Sequence, residues 1–90
     1  MDPSATVTRS DRAIVEDVGG ETVILDLDGD TFLRLNAAGA ALWKALDEPR
    51  SIESLAAELE SEFGVDSPTA VADTSAFVDD MRGRGLLSLG

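Results

Sequence analysis

The spacing of apolar residues changes once along the chain. From Ala13 to Leu35 they come in short β-branched runs or alternate with polar residues, and after Asn36 they recur every three or four positions. The first period belongs to extended chain and the second to helix. Ala13 to Val18 reads as a strand that breaks at Gly19-Gly20. The chain resumes as Glu21 to Leu27, turns at Asp28-Gly29, and continues as Thr31 to Leu35. Two apolar runs joined by Asp-Gly are a strong short-range hairpin signal, so the pattern predicts a three-stranded antiparallel meander. On the middle strand Val23, Leu25 and Leu27 share one face and Thr22, Ile24 and Asp26 the other. One side is therefore apolar and the opposite side mixed, and one face is expected to carry helices.

Three helices follow. Asn36 is a good N-cap with Leu35 before it as a staple, and the first helix runs from about Ala37 to Asp47 with Leu42, Trp43 and Leu46 on its apolar side. Gly39 lies one turn before Trp43, where a missing side chain permits close approach of a neighbour. Pro49 prevents continuation. Ser51 caps a second helix whose Ile52, Leu55, Ala56, Leu59 and Phe63 follow helical spacing, with Glu53, Glu58, Glu60 and Glu62 on the wet side and Gly64 at its end. Ser67 as N-cap and Pro68 at the first helical position start a third, carrying Val71, Thr74, Phe77, Val78 and Met81 until Gly83 and Gly85. Leu86, Leu87 and Leu89 form an apolar tail expected to fold back onto the core. The first dozen residues lack periodicity and are expected to be a flexible segment, with Thr6 to Thr8 able to pair only weakly, ahead of one domain over residues 13–90. The fold class expected is α+β: a small three-stranded antiparallel sheet plus three helices, the last two forming a winged helix-turn-helix-like unit.

Composition narrows the chemistry. Ninety residues make one small domain with a modest core. Eighteen acidic against seven basic residues give a net charge of −11, which repels phosphate backbones and anionic lipid, so neither nucleic acid nor membrane is an expected partner. A DNA-reading third helix would need basic residues, but this one carries Asp73, Asp79 and Asp80, with Arg82 and Arg84 only at its end. Without cysteine or histidine, thiolate or imidazole metal sites and the commonest general base are missing. The polar N-terminus MDPSATVTRSDR has no apolar signal-like region, and no run is long enough to span a bilayer, so a soluble cytoplasmic protein is expected.

Two local motifs invite chemical readings. VILDLDGD, Val23 to Asp30, has the two-aspartate spacing of haloacid-dehalogenase-type phosphatases at Asp26 and Asp28. That chemistry needs several βαβ units, the expected Thr is replaced by Asp30, and an EF-hand would need Gly where Thr31 stands and Glu where Ala37 stands. A solvated turn is the plainer reading. FGVDSPTAV, Phe63 to Val71, is similar to the Gly-x-Asp-Ser-Leu segment of acyl and peptidyl carrier proteins, in which Ser67 would take phosphopantetheine. Pro68 replaces the Leu, and the first third of the chain reads as strands, so the carrier stands as the alternative. Trp43 on an apolar helical face reads as core, and the Glu-rich face of the second helix as solvated.

The sheet itself is the remaining feature. Its last strand has no proline and one charge, with Phe32 and Leu33 on opposite faces. An open edge there offers unpaired backbone groups to an added strand, unless the N-terminal segment or a second copy covers it.

The run ETVILDLDGDTFLRLNAAGAALWKALDEPRSIESLAAELESEFGVD, followed by FVDDMRGRGLL, resembles PqqD-like domains, also called RiPP precursor peptide recognition elements. The likeness rests on the strand-turn-strand leading to Leu35-Asn36, the small residues before Leu42-Trp43, the Leu46-Asp47 helix end, the Ser51-Ile52 restart, and the closing Phe77, Met81, Gly85, Leu86 and Leu87. It covers about Ile14 to Leu89. The resemblance implies a winged-helix adaptor without catalytic residues, metal or cofactor. Such an adaptor binds the leader of a ribosomally made precursor peptide and presents it to a modifying enzyme or leader peptidase, of lasso-peptide or radical SAM type. On this sequence it implies a leader along Thr31, Phe32, Leu33, Arg34 and Leu35, against Val71, Asp73, Thr74, Ala76, Phe77 and Asp80 of the third helix. By helical spacing Asp73, Ala76 and Asp80 share a side, so their carboxylates would meet a basic leader residue.

Overall fold

The computed structural model describes residues 2–26 and 31–90, so the turn expected at Asp28-Gly29 lies outside the described residues. Chain order is β1 (Thr6–Arg9), β2 (Ala13–Val18), β3 (Glu21–Asp26), β4 (Thr31–Leu35), α1 (Ala37–Ala45), β5 (Arg50–Ser51), α2 (Ile52–Phe63), α3 (Ser67–Gly83) and β6 (Leu87–Leu89). The expected meander is present as an antiparallel sheet in the order β2-β3-β4. Gly19 and Gly20 join β2 to β3 with φ of 59° and 85°, a pair of left-handed conformations that ordinary side chains resist and that matches strand twist in a two-residue hairpin.

The mixed side of β3 is the one that carries the helices. Ile24 is fully buried in the main apolar cluster, and Leu33, Leu35 and Ala13 pack against that cluster. On the opposite side the ladder aligns Ile14, Leu25 and Phe32 in one row and Glu16, Val23 and Arg34 in the next. Val18 shares that side, and Ile14, Val18 and Phe32 remain 40, 56 and 60 % exposed.

A second sheet, in the order β5-β1-β6, was not legible in the sequence. The segment expected to be a flexible tail contains its central strand: Val7 pairs with Arg50 on one side and Leu89 on the other, and is fully buried. A four-residue TVTR strand with one apolar side chain carries too little pattern to register as a period. The guanidinium of Arg9 lies 4.9 Å from the centre of the Trp43 ring and donates to the Trp43 carbonyl, which ties β1 to α1. Burial pushes the Arg9 pKa down from its ordinary value, opposed by the negative charge of Asp47. The expected return of the C-terminal apolar tail is realised as β6, with Leu86 and Leu87 buried.

Two of the three expected helix caps form as side-chain hydrogen bonds. Asn36 Oδ1 accepts from Gly39 N at 2.8 Å and Ser51 Oγ from Ser54 N at 3.1 Å, while Gly64 ends α2 with φ 66°. The third start is displaced by one residue. Asp66 is the N-cap, so Ser67 and Pro68 are the first two helical residues, a place where a missing N–H costs nothing. The carrier alternative at Ser67 finds no support, since four strands precede the first helix. Phe63, expected on the apolar stripe of α2, is 43 % exposed at its last turn, whereas Ile52, Leu55, Ala56 and Leu59 are buried. Among the described residues no helix is long and apolar enough to cross a membrane.

Candidate functional site

β4 has β3 on one side, and among the described residues no strand pairs with its other side. The N-terminal segment that might have covered this edge is engaged elsewhere, as β1 between β5 and β6. In an antiparallel strand, alternate residues turn their N–H and C=O to opposite sides, so the outer edge presents a row of backbone groups.

Where β4 runs into α1, a groove of about 400 Å³ opens between α1 and α3. Ala38, Gly39, Leu42, Leu59, Ala76 and Phe77 supply its apolar lining, and Asn36, Asp73 and Asp80 its polar part. Its shape depends on Gly39. A Cβ there would lie 3.3 Å from Phe77 Cε1, 3.6 Å from Leu35 Cβ and 3.2 Å from Asn36 Oδ1. Glycine thus lets the Phe77 ring tuck against the start of α1, next to the end of β4.

The residues expected at this site divide. Asp73, Ala76, Phe77 and Asp80 stand at i, i+3, i+4 and i+7 of α3 and line one groove together. On β4, Leu33 and Leu35 are half-buried and pack against the main core, whereas Phe32 and Arg34 lie on the outward side. Arg34 Nε is 3.4 Å from the Glu21 carboxylate, and the backbone of Thr31 is paired with Asp26. Val71 is half-buried against the core and does not line the groove. Thr74 does not line it either. It is fully buried, and among the described residues its Oγ1 has no hydrogen-bond partner, because position 74 falls on the same helical side as Ala70, Val78 and Met81. Expectation also missed the wall built by α1. The small pair Ala38-Gly39 was its sequence signal, but which helix would approach it was not.

The groove carries unequal charges. Asp80 is held by Arg84, Nε to Oδ1 at 3.3 Å, while Asp73 has no ion pair among the described residues. A larger hollow of about 550 Å³ lies elsewhere, lined by Ala37, Ala40, Ala41, Lys44 and Ala45 with Phe63 and the Arg50–Glu58 pair, and it does not include β4. Among the described residues no three acidic side chains converge as a metal site would require.

The sequence profile described as coenzyme PQQ synthesis protein D (PqqD) matches residues 21–87. No protein of curated function matches the chain. Among solved structures, TbiB1 in complex with the TbiA(beta) leader peptide is similar at 28 % identity, covering 90 % of this chain and 94 % of that one with a TM-score of 0.81. Lasso peptide synthetase B1 complexed with the leader peptide is similar in fold, at 23 % identity, 91 % and 96 % coverage and a TM-score of 0.80.

Proposed function

This chain belongs to the PqqD family, and from that premise we propose that it is a non-catalytic adaptor. It binds the leader region of a ribosomally synthesised precursor peptide by strand addition on β4, and delivers that peptide to a modifying enzyme or leader peptidase of a lasso-peptide or radical SAM pathway. The observation that carries the reading is the outer edge of β4, unpaired among the described residues, next to an apolar groove against α3. Each backbone hydrogen bond gained there contributes about 0.5 to 1.5 kcal/mol regardless of guest sequence. Side chains entering the groove would then give selectivity. The likeness to TbiB1, whose solved complex holds a leader peptide, supports the peptide-binding part of this reading.

Thr31 to Leu35 form the receiving strand in this proposal, and Asp73, Ala76, Phe77 and Asp80 the facing wall. Leu33 and Leu35 lie on the core side, with Phe32 flanking the guest from the outward side. Thr74 acts only by supporting α3 from below. No residue is asked to make or break a bond, so the domain's contribution is proximity: it raises the local concentration of peptide at a partner's active site.

The test is to titrate the purified domain with the leader segment of the precursor peptide encoded beside it, alone and with the neighbouring enzyme present. Saturable binding of the leader, absent with a scrambled leader, is expected. Failure of every neighbouring leader under both conditions would remove the adaptor reading.

A further inference from the structure

We infer that the groove selects its guest by charge as well as by apolar fit. The peptide it takes carries a Lys or Arg two residues from an apolar anchor, with Asp73 as the discriminating carboxylate. This rests on the adaptor reading above and adds the chemistry of the guest.

The geometry supplies the spacing. Asp73 and Phe77 are one turn apart on α3 and line the same groove, about 6 Å along the helix axis at 1.5 Å per residue. In an extended guest running alongside α3, side chains on the same face recur every second residue, about 6.7 Å apart. An anchor seated on Phe77 and the open floor at Gly39 and Ala76 therefore brings the residue two positions away over Asp73. That position faces a carboxylate with no ion pair among the described residues. An apolar or acidic guest side chain would desolvate that charge without compensation, whereas an ammonium or guanidinium supplies it. Asp80, three residues beyond Phe77, is occupied by Arg84 and discriminates less. The net charge of −11 draws cationic peptides towards the whole surface, but only the rim residue sets a position.

Selection from a display library of random 15-residue peptides tests the inference, using the full chain, its Asp73→Lys variant and a Glu62→Lys variant. Asp73 is exposed in mid-helix and Glu62 is exposed on α2 outside this groove, so both changes shift net charge equally. Peptides recovered on the parent and on Glu62→Lys are expected to carry Lys or Arg at a fixed two-residue offset from an apolar residue. On Asp73→Lys that position should turn neutral or acidic. A recovered parent peptide should bind Asp73→Lys about two- to fivefold more weakly at low salt, the range of exposed ion pairs, with the gap closing as salt rises. Equal charge content in all three pools, with alternating apolar residues still recovered, overturns the role of Asp73 and leaves the adaptor standing. Recovery of no strand-forming peptide on any of the three sinks both.

Discussion

Thr74 has a hydroxyl in the core with no partner among the described residues. A buried, unpaired polar group costs free energy that an apolar group of the same shape does not, and Thr and Val are equally β-branched. Thr74→Val is expected to raise stability by about 1 kcal/mol, read as a higher urea midpoint, with leader affinity unchanged. A loss of leader binding would place residue 74 in the site after all. Gly39 is the opposite case, a residue whose lack of a side chain shapes the groove. Alanine is the better helix former by about 1 kcal/mol, but its Cβ would crowd both the Phe77 ring and the capping oxygen of Asn36. Gly39→Ala should therefore change melting by little while weakening leader binding several-fold in a titration, because the ring must move into the space the guest needs. Unchanged affinity would show that the groove tolerates the shift and that Gly39 does not control it.

At the scale of elements, the adaptor reading depends on β4 having one satisfied and one open side. Neighbouring amides on a strand point in opposite directions, so of Phe32 and Leu33 one donates towards β3 and the other outward. Proline removes that donor. The pair Phe32→Pro and Leu33→Pro should consequently split: one variant loses thermal stability with the β3–β4 ladder, and the other melts closer to the parent yet fails to bind leader. If both well-folded proteins kept parental affinity, strand addition on β4 would be wrong. Side chains alternate in the same way, which puts Ile14, Leu25 and Phe32 in a row on the side away from the helices, where Ile14 and Phe32 stay exposed while Val23 is buried.

For the whole molecule, the decisive contacts join the two ends of the chain. β1 lies between β5 and β6, buries Val7, and brings Arg9 over Trp43. Burying one Val side chain contributes about 1.5 to 3 kcal/mol, and a guanidinium over an indole adds about 0.5 to 2. Small domains have total stabilities of only about 5 to 15 kcal/mol. Deleting residues 2–9 should thus lower the denaturation midpoint steeply or abolish cooperative melting, whereas a dispensable tail could be removed with no change in either.

The features legible from residue order alone are those that depend on near neighbours. The Gly19-Gly20 hairpin, the Asn36 and Ser51 caps, the left-handed end at Gly64 and the helical stripe of Ile52, Leu55 and Leu59 involve residues within a few positions of one another, so their physics is written locally. The resemblance reached further, to the family, and four of the α3 residues it implies, Asp73, Ala76, Phe77 and Asp80, line one groove. Contacts between distant segments were needed to choose which side of β3 is inside, to set the α1 wall at Gly39 against Phe77, and to bring Val7 to Leu89. Short strands carry almost no pattern of their own. Their partners are chosen by the burial and backbone pairing available once distant segments have come together, and among the described residues that choice left the outer edge of β4 without a partner strand.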